Sequence, residues 1–207
     1  MYVPAHFAEH RVEVMHALMR SYPLGVLVAN TSAGMEANHI PFITDPNVGP
    51  KGTLRCHVAR SNPLWTSLEQ ASDVLVIFQG PDAYVSPSAY EAKQKDGKVV
   101  PTWNYVAVHA YGKARVVHER EWLLDLLNAL TVEQESGRKH PWSVADAPSD
   151  YTDKLLSAIV GIEIPVEKLV GKWKVSQNRS RADRANVADD LRSHSAVHAD
   201  MIELLQR

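Results

Sequence analysis

The sequence predicts a mainly β protein with peripheral helices, an antiparallel barrel either closed or split. Three observations lead there. About six segments alternate apolar and polar residues at the period of a strand. They do not alternate regularly with helices, which disfavours a parallel doubly wound sheet. One run, VPTWNYVAVHAYGKARVVHE (100 to 119), is the longest strand candidate, with Trp103, Tyr105, His109 and Tyr111 on one face and Asn104, Val106, Val108 and Ala110 on the other.

The elements follow in order. After YVPAHF, the stretch AEHRVEVMHALMRSY sets Phe7, Val14, Met15, Leu18 and Met19 at helical spacing, and Pro23 ends it. PLGVLVAN (23 to 30) and MEANHIPFIT (35 to 44) read as strands joined by the short loop TSAG. DPNVGPKG leads into a third strand, GTLRCHVA, in which Leu54, Cys56 and Val58 share a face. NPLWTSLEQA (62 to 71) reads as a short helix, and SDVLVIFQG (72 to 80) as a strand apolar on both faces and therefore covered on both. PDAYVSPSAYEAK turns, gives a brief strand and starts a helical segment after Ser86-Pro87. Beyond the long strand, Trp122, Leu123, Leu126, Leu127 and Leu130 mark an amphipathic helix over 119 to 136, stopped by Gly137. YTDKLLSA supplies a helical turn or two, and strand character resumes through Ile159, Ile162, Ile164 and Val166. The expected organisation is a barrel domain over 1–180 and a polar helical tail over 181–207, broken near RSHS.

Composition narrows the function. The chain has 207 residues, 45% hydrophobic and 22% charged, which suits a globular protein with a sizeable core. No apolar run reaches the roughly 18 residues of a spanning helix, and MYVPAHFAEH lacks the pattern of a signal peptide, so a cytoplasmic protein with no membrane partner is expected. The net charge of −2 offers no overall basic excess for nucleic acid, so DNA binding would need a local face. The single cysteine, Cys56, excludes an internal disulfide and a zinc site on paired thiolates; it sits among apolar neighbours as a small hydrophobe. Of ten histidines, only His6 with His10 and His194 with His198 stand at i, i+4, both near the termini, and no metal site is expected.

The usual catalytic motifs are missing: there is no GxxxxGK[ST], GxGxxG, GxSxG or HExxH. What remains are polar clusters set in apolar strands. In HVARSNPLW, Ser61 or Asn62 can cap the following helix, Pro63 suits its first turn, and Arg60 beside a helix N-terminus matches an anion. The same residues are also what a capped helix and a solvated arginine require. GKWKVSQNR offers Lys172, Lys174, Ser176, Gln177, Asn178 and Arg179 within eight residues, either a second side of a phosphate site or a solvated edge. Asn104 falls on the apolar face of its strand, where an unpaired amide costs about 1 to 3 kcal/mol, so it needs a partner from the protein or from a ligand. Phosphate donors, aromatic surface and isolated amides together suit a phosphorylated heterocycle.

YVPAHF, NHIPF, GTLRCHVARSNPLW, VIFQGPDAYVSPSAY, VPTWNYVAVHAYG and KWKVSQNR, in this order from residue 1 to about 180, resemble the signature segments of the PaiB family, the FMN-binding negative transcriptional regulators. The resemblance implies a split β-barrel like that of pyridoxamine-phosphate oxidases, assembled as a homodimer with FMN at the interface. It implies that His57, Val58, Ala59, Arg60 and Asn62, with the helix start around Trp65, hold the phosphate and ribityl chain. Trp103 and Asn104 would line the flavin, and Lys174, Ser176 and Gln177 would close the site, from the partner subunit. The expected function is then an FMN-binding regulator. The alternatives are an FMN-dependent oxidoreductase acting on a small molecule, with His57, His109 or Tyr105 as proton donor, and a haem-handling barrel, which needs an axial ligand that no histidine announces.

Overall fold

In the computed structural model, which describes residues 1–69, 72–194 and 198–206, the chain is predominantly β. A 3-10 turn over Ala5–Phe7 precedes β1 (Ala8–Glu9) and α1 (Val12–Ser21). β2 (Leu24–Thr31), β3 (Gly34–Pro41), β4 (Ile43–Asp45) and β5 (Thr53–Ala59) come next, then α2 (Leu64–Leu68). β6 (Asp73–Val85), α3 (Ala92–Lys95), β7 (Thr102–Lys113), β8 (Arg115–Val117) and α4 (Arg120–Glu135) continue the chain. It ends in α5 (Ser149–Ser157), β9 (Ile159–Lys174), α6 (Arg181–His194) and α7 (Ala199–Gln206). The hydrogen-bonded order is β3-β2-β6-β7-β9-β5-β4, with β1 and β8 also on β9.

Two compact units emerge. One comprises 1–11, 79–108 and 170–207; the other comprises 12–78 and 109–169. In the second, β2 pairs antiparallel with β3 and with β6, while β5 pairs antiparallel with β9 from Thr53↔Pro165 to Ala59↔Ile159. Its buried side chains include Leu27, Phe42, Leu54, Cys56, Phe78, Leu123, Leu126, Ile162 and Ile164. Phe42 and Phe78 meet edge to face at 5.6 Å, a favoured aromatic geometry. The Trp122 ring lies on Gly161, where a Cβ would come within 2.4 Å of it; only glycine lets α4 sit this close to β9. In the first unit, β1 pairs with β9 at Ala8↔Lys172, and the buried side chains of α6 and α7 include Val187, Ala188, Leu191, Met201 and Leu205.

Several elements differ from the sequence expectation for identifiable reasons. Phe7 lies outside the first helix, in the turn closed by its N–H on the Pro4 carbonyl (2.9 Å). The second strand stops at Pro41 and resumes at Ile43. The two strands expected either side of Gly80-Pro81 are one, β6, because the fixed φ of proline is compatible with extended backbone. One face of its first half is buried (Val74, Val76, Phe78), while Leu75 and Ile77 opposite are half-buried. The long run breaks after Lys113, where the Ala114 N–H turns to the Ser72 carbonyl (3.0 Å). The longest strand is therefore β9, with 16 residues against 12 in β7. The helix expected over 62–71 runs over Leu64–Leu68, and its last two positions lie outside the described residues, as does part of the break near RSHS.

Candidate cofactor site

The first group of polar residues stands at the mouth of β5, in the second unit. Alternation buries Leu54, Cys56 and Val58. Cys56 is fully buried among apolar side chains, and burial pushes its thiol far above its ordinary value, which favours the neutral thiol. His57 is half-buried on the opposite face. Its Nδ1 is buried and makes no hydrogen bond, and burial holds its pKa below the ordinary 6.5, keeping the ring neutral. Ala59 and Arg60 are exposed. The Arg60 guanidinium donates from Nε to the Ser157 carbonyl and from Nη2 to the Ile159 carbonyl, both at 2.9 Å. Arginine carries five N–H groups, so part of the fork stays available beyond this staple.

Asn62 caps the helix start, as its position predicts: its Oδ1 accepts from the Leu64 N–H (2.9 Å), and its Nδ2 donates to Asn38 Oδ1 (2.9 Å). Trp65 donates from Nε1 to the Arg60 carbonyl (2.9 Å) and meets the His118 ring edge-on at 5.6 Å. His57, Val58, Ala59, Arg60, Asn62 and Trp65 thus lie within one short segment, and α2, at 5 residues, offers little dipole of its own.

The second group lies in the first unit. Asn104, 1% exposed, finds the partner its position requires in Ser176: each donates to the other, at 3.0 and 3.2 Å. Ser176 is buried and holds φ at 59°, a left-handed conformation that costs a non-glycine residue energy and clusters at functional sites. The Lys174 ammonium donates to Thr102 Oγ1 and to the Trp103 carbonyl. Its pKa is lowered first by burial, then by the charges of Lys172 and Arg179. Lys172 lies over the Tyr105 ring at 4.9 Å and Arg179 over Tyr90 at 4.5 Å, both cation–π contacts. Among the described residues no carboxylate pairs with any of the three. Gln177 accepts from the Val175 N–H (2.8 Å) and donates to the Trp173 carbonyl. Trp103 is 54% exposed and meets Tyr84 at 5.8 Å.

Sequence reasoning gave Lys172 and Arg179 only as members of a cluster, either a second side of a phosphate site or a solvated edge, and passed over Asn38 and Tyr84. Asn38 alternates with Ala37 and His39 on a strand, which reads as an ordinary exposed position. Its signal is the pairing with Asn62, 24 residues away.

In the second unit an orphaned imidazole nitrogen and an arginine fork at a strand end fit a flavin phosphate; in the first unit, taken by itself, cations without a carboxylate partner lie on the half-buried Tyr105 and buried Tyr90 rings. The fold is the split β-barrel. Among solved structures the chain is similar to the FAD and heme binding protein of Mycobacterium smegmatis (TM-score 0.62, 17% identity, 86% of this chain and 78% of that one). It is similar also to the flavocytochrome Anf3 of Azotobacter vinelandii (TM-score 0.61, 14% identity, 83% and 72%). Residues 1–168 match the family model described as "Putative FMN-binding domain". The chain is 33% identical to the Bacillus subtilis protease synthase and sporulation protein PAI 2, over all of this chain and 97% of that protein. It is 36% identical to an uncharacterized protein of Emericella nidulans over 90% of this chain and 88% of that one. The chain belongs to the FMN-binding PaiB family.

Proposed function

We propose that the chain is a cytoplasmic homodimer that binds FMN at its subunit interface and acts as a negative regulator of transcription whose output follows the state of the flavin. The observation that carries the FMN grip is the buried, unpartnered Nδ1 of His57 at the mouth of β5. A buried polar atom without a partner costs about 1 to 3 kcal/mol, and a ligand hydroxyl or phosphate oxygen removes that cost. In this reading the free part of the Arg60 fork takes the phosphate, with the backbone of Val58 and Ala59 and the side chain of Asn62 along the ribityl chain and Trp65 flanking. The partner protomer contributes Trp103 against the flavin edge, Asn104 and Ser176 as the fixed pair behind it, and Lys174 and Gln177 as donors. FMN supplies one- and two-electron redox chemistry when bound. The residues of the chain bind it, orient it and exclude water.

Charge supports an indirect form of regulation. On α6, Arg181, Arg184 and Arg192 are countered by Asp183, Asp189 and Asp190, and Arg192 pairs with Asp189. Such a mixed face gives a weak electrostatic footprint for DNA. Titrating purified protein with FMN tests the cofactor; gel retardation with and without FMN, at moderate salt, tests the regulator. A second reading, an FMN-dependent oxidoreductase acting on a small molecule, is favoured by one observation: the Nδ1 atoms of His57 and His109 are both buried and without a protein partner, so each ring is available to exchange a proton with a bound molecule. Anaerobic bleaching of bound FMN by reduced nicotinamide supports that reading; an unchanged spectrum counts against it.

A further inference from the structure

One cavity in the first unit, about 610 Å³, is lined by Asp82, Tyr84, Ser86, Trp103, Asp190 and His198, among others. Residues 82 and 84 alternate along β6 and so share one face of the strand, Ser86 follows the strand's last residue, and Trp103 stands on β7. Tyr84 and Trp103 are 47% and 54% exposed, and their rings meet at 70°, forming two walls of a corner. The Asp82 carboxylate is held by Gln79 Nε2 at 3.0 Å. Among the described residues no lysine or arginine lines the cavity, and Lys93 donates from outside it to the hydroxyl of Ser88, itself a lining residue (2.8 Å).

We infer that this cavity binds a small organic ammonium ion. The Tyr84 and Trp103 rings attract a cation through their quadrupoles and still accept its alkyl groups, and the Asp82 carboxylate sets the sign of the charge. Inorganic cations prefer to keep their water; an alkylammonium ion sheds it easily and gains from the rings. The inference rests on the cavity and not on where FMN lies. Trp103 alone is shared with the proposed flavin grip.

The test is calorimetric titration of the purified protein with choline and, in parallel, with its neutral isostere 3,3-dimethylbutan-1-ol, which keeps the shape and removes the charge. The expected result is saturable choline binding that is at least about tenfold tighter than that of the alcohol. Tyr84→Leu and Asp82→Asn each weaken choline by about three- to tenfold, the range of a partly exposed cation–π or charge contact. Asp82→Asn leaves FMN affinity unchanged, so a failure of this site and a failure of the flavin grip are told apart. Equal affinity for alcohol and choline in the wild-type protein overturns the inference. So does an absence of choline binding, or choline affinity unchanged in both variants.

Discussion

The mouth of β5 and the stretch from Lys172 to Arg179 carry similar residues, yet the fold uses them in opposite ways. At the strand mouth the polar groups other than His57 bind the protein itself: Arg60 staples two carbonyls near the start of β9, Asn62 joins Asn38 and caps α2, and Trp65 returns to the Arg60 carbonyl. In the other stretch Lys172, Lys174 and Arg179 rest on carbonyls and aromatic rings, with no carboxylate paired to them among the described residues, and the Lys174 pKa is lowered first by burial and then by the charges of the other two. A polar cluster that satisfies itself supports structure first and ligand second. One that concentrates like charge against aromatic surface awaits an anion.

The contrast predicts different penalties for similar substitutions. Arg60→Ala has the largest combined effect on ligand and fold, since it removes a staple and a phosphate donor together. FMN affinity falls at least about tenfold, and two lost bonds to carbonyls at an exposed site cost about 1 kcal/mol, or roughly 2 to 4 °C in melting temperature. Calorimetric melts beside FMN titrations check both arms. Asn104→Ala comes next: it leaves the buried Ser176 hydroxyl unpaired and costs about 1 to 3 kcal/mol, read from urea midpoints. Lys174→Met sharpens the comparison most. FMN affinity drops about tenfold while stability stays within about 0.5 kcal/mol, because relief of repulsion offsets the lost hydrogen bonds. A melt lowered as far as that of Arg60→Ala would erase the distinction between the two regions.

The smallest effect is a pH dependence. Burial depresses the folded pKa of His57, so below the unfolded value of about 6.5 the unfolded chain binds more protons than the folded one. The stability contributed by the neutral ring is complete above that value and declines as pH falls towards the folded pKa. His57→Gln should flatten the acid side of a stability profile below a pH of about 6.5. A profile as steep as that of the unsubstituted protein would assign the slope to other groups.

Much of this was legible in the sequence, for local reasons. The period of two in 102–113 separates Trp103 and Tyr105 from Asn104 and Val106, and β7 buries the second set. The requirement that a buried Asn104 have a partner also followed from its position. Which partner did not, because Ser176 is 72 residues away. Nor did the staple of Arg60, whose acceptors lie 97 and 99 residues ahead and are brought near by the Ala59↔Ile159 register of β5 on β9. Spacing identifies the groups that need partners; strand pairing decides which of them the protein supplies.

Titration of the purified protein with FMN, followed by flavin fluorescence quenching and repeated on Arg60→Ala and Lys174→Met, tests the central claim most directly. The account predicts saturation at one FMN per chain in the unsubstituted protein, with affinity reduced in both variants and stability reduced in Arg60→Ala alone. No saturable uptake by the unsubstituted protein, or unchanged affinity in both variants, would contradict it.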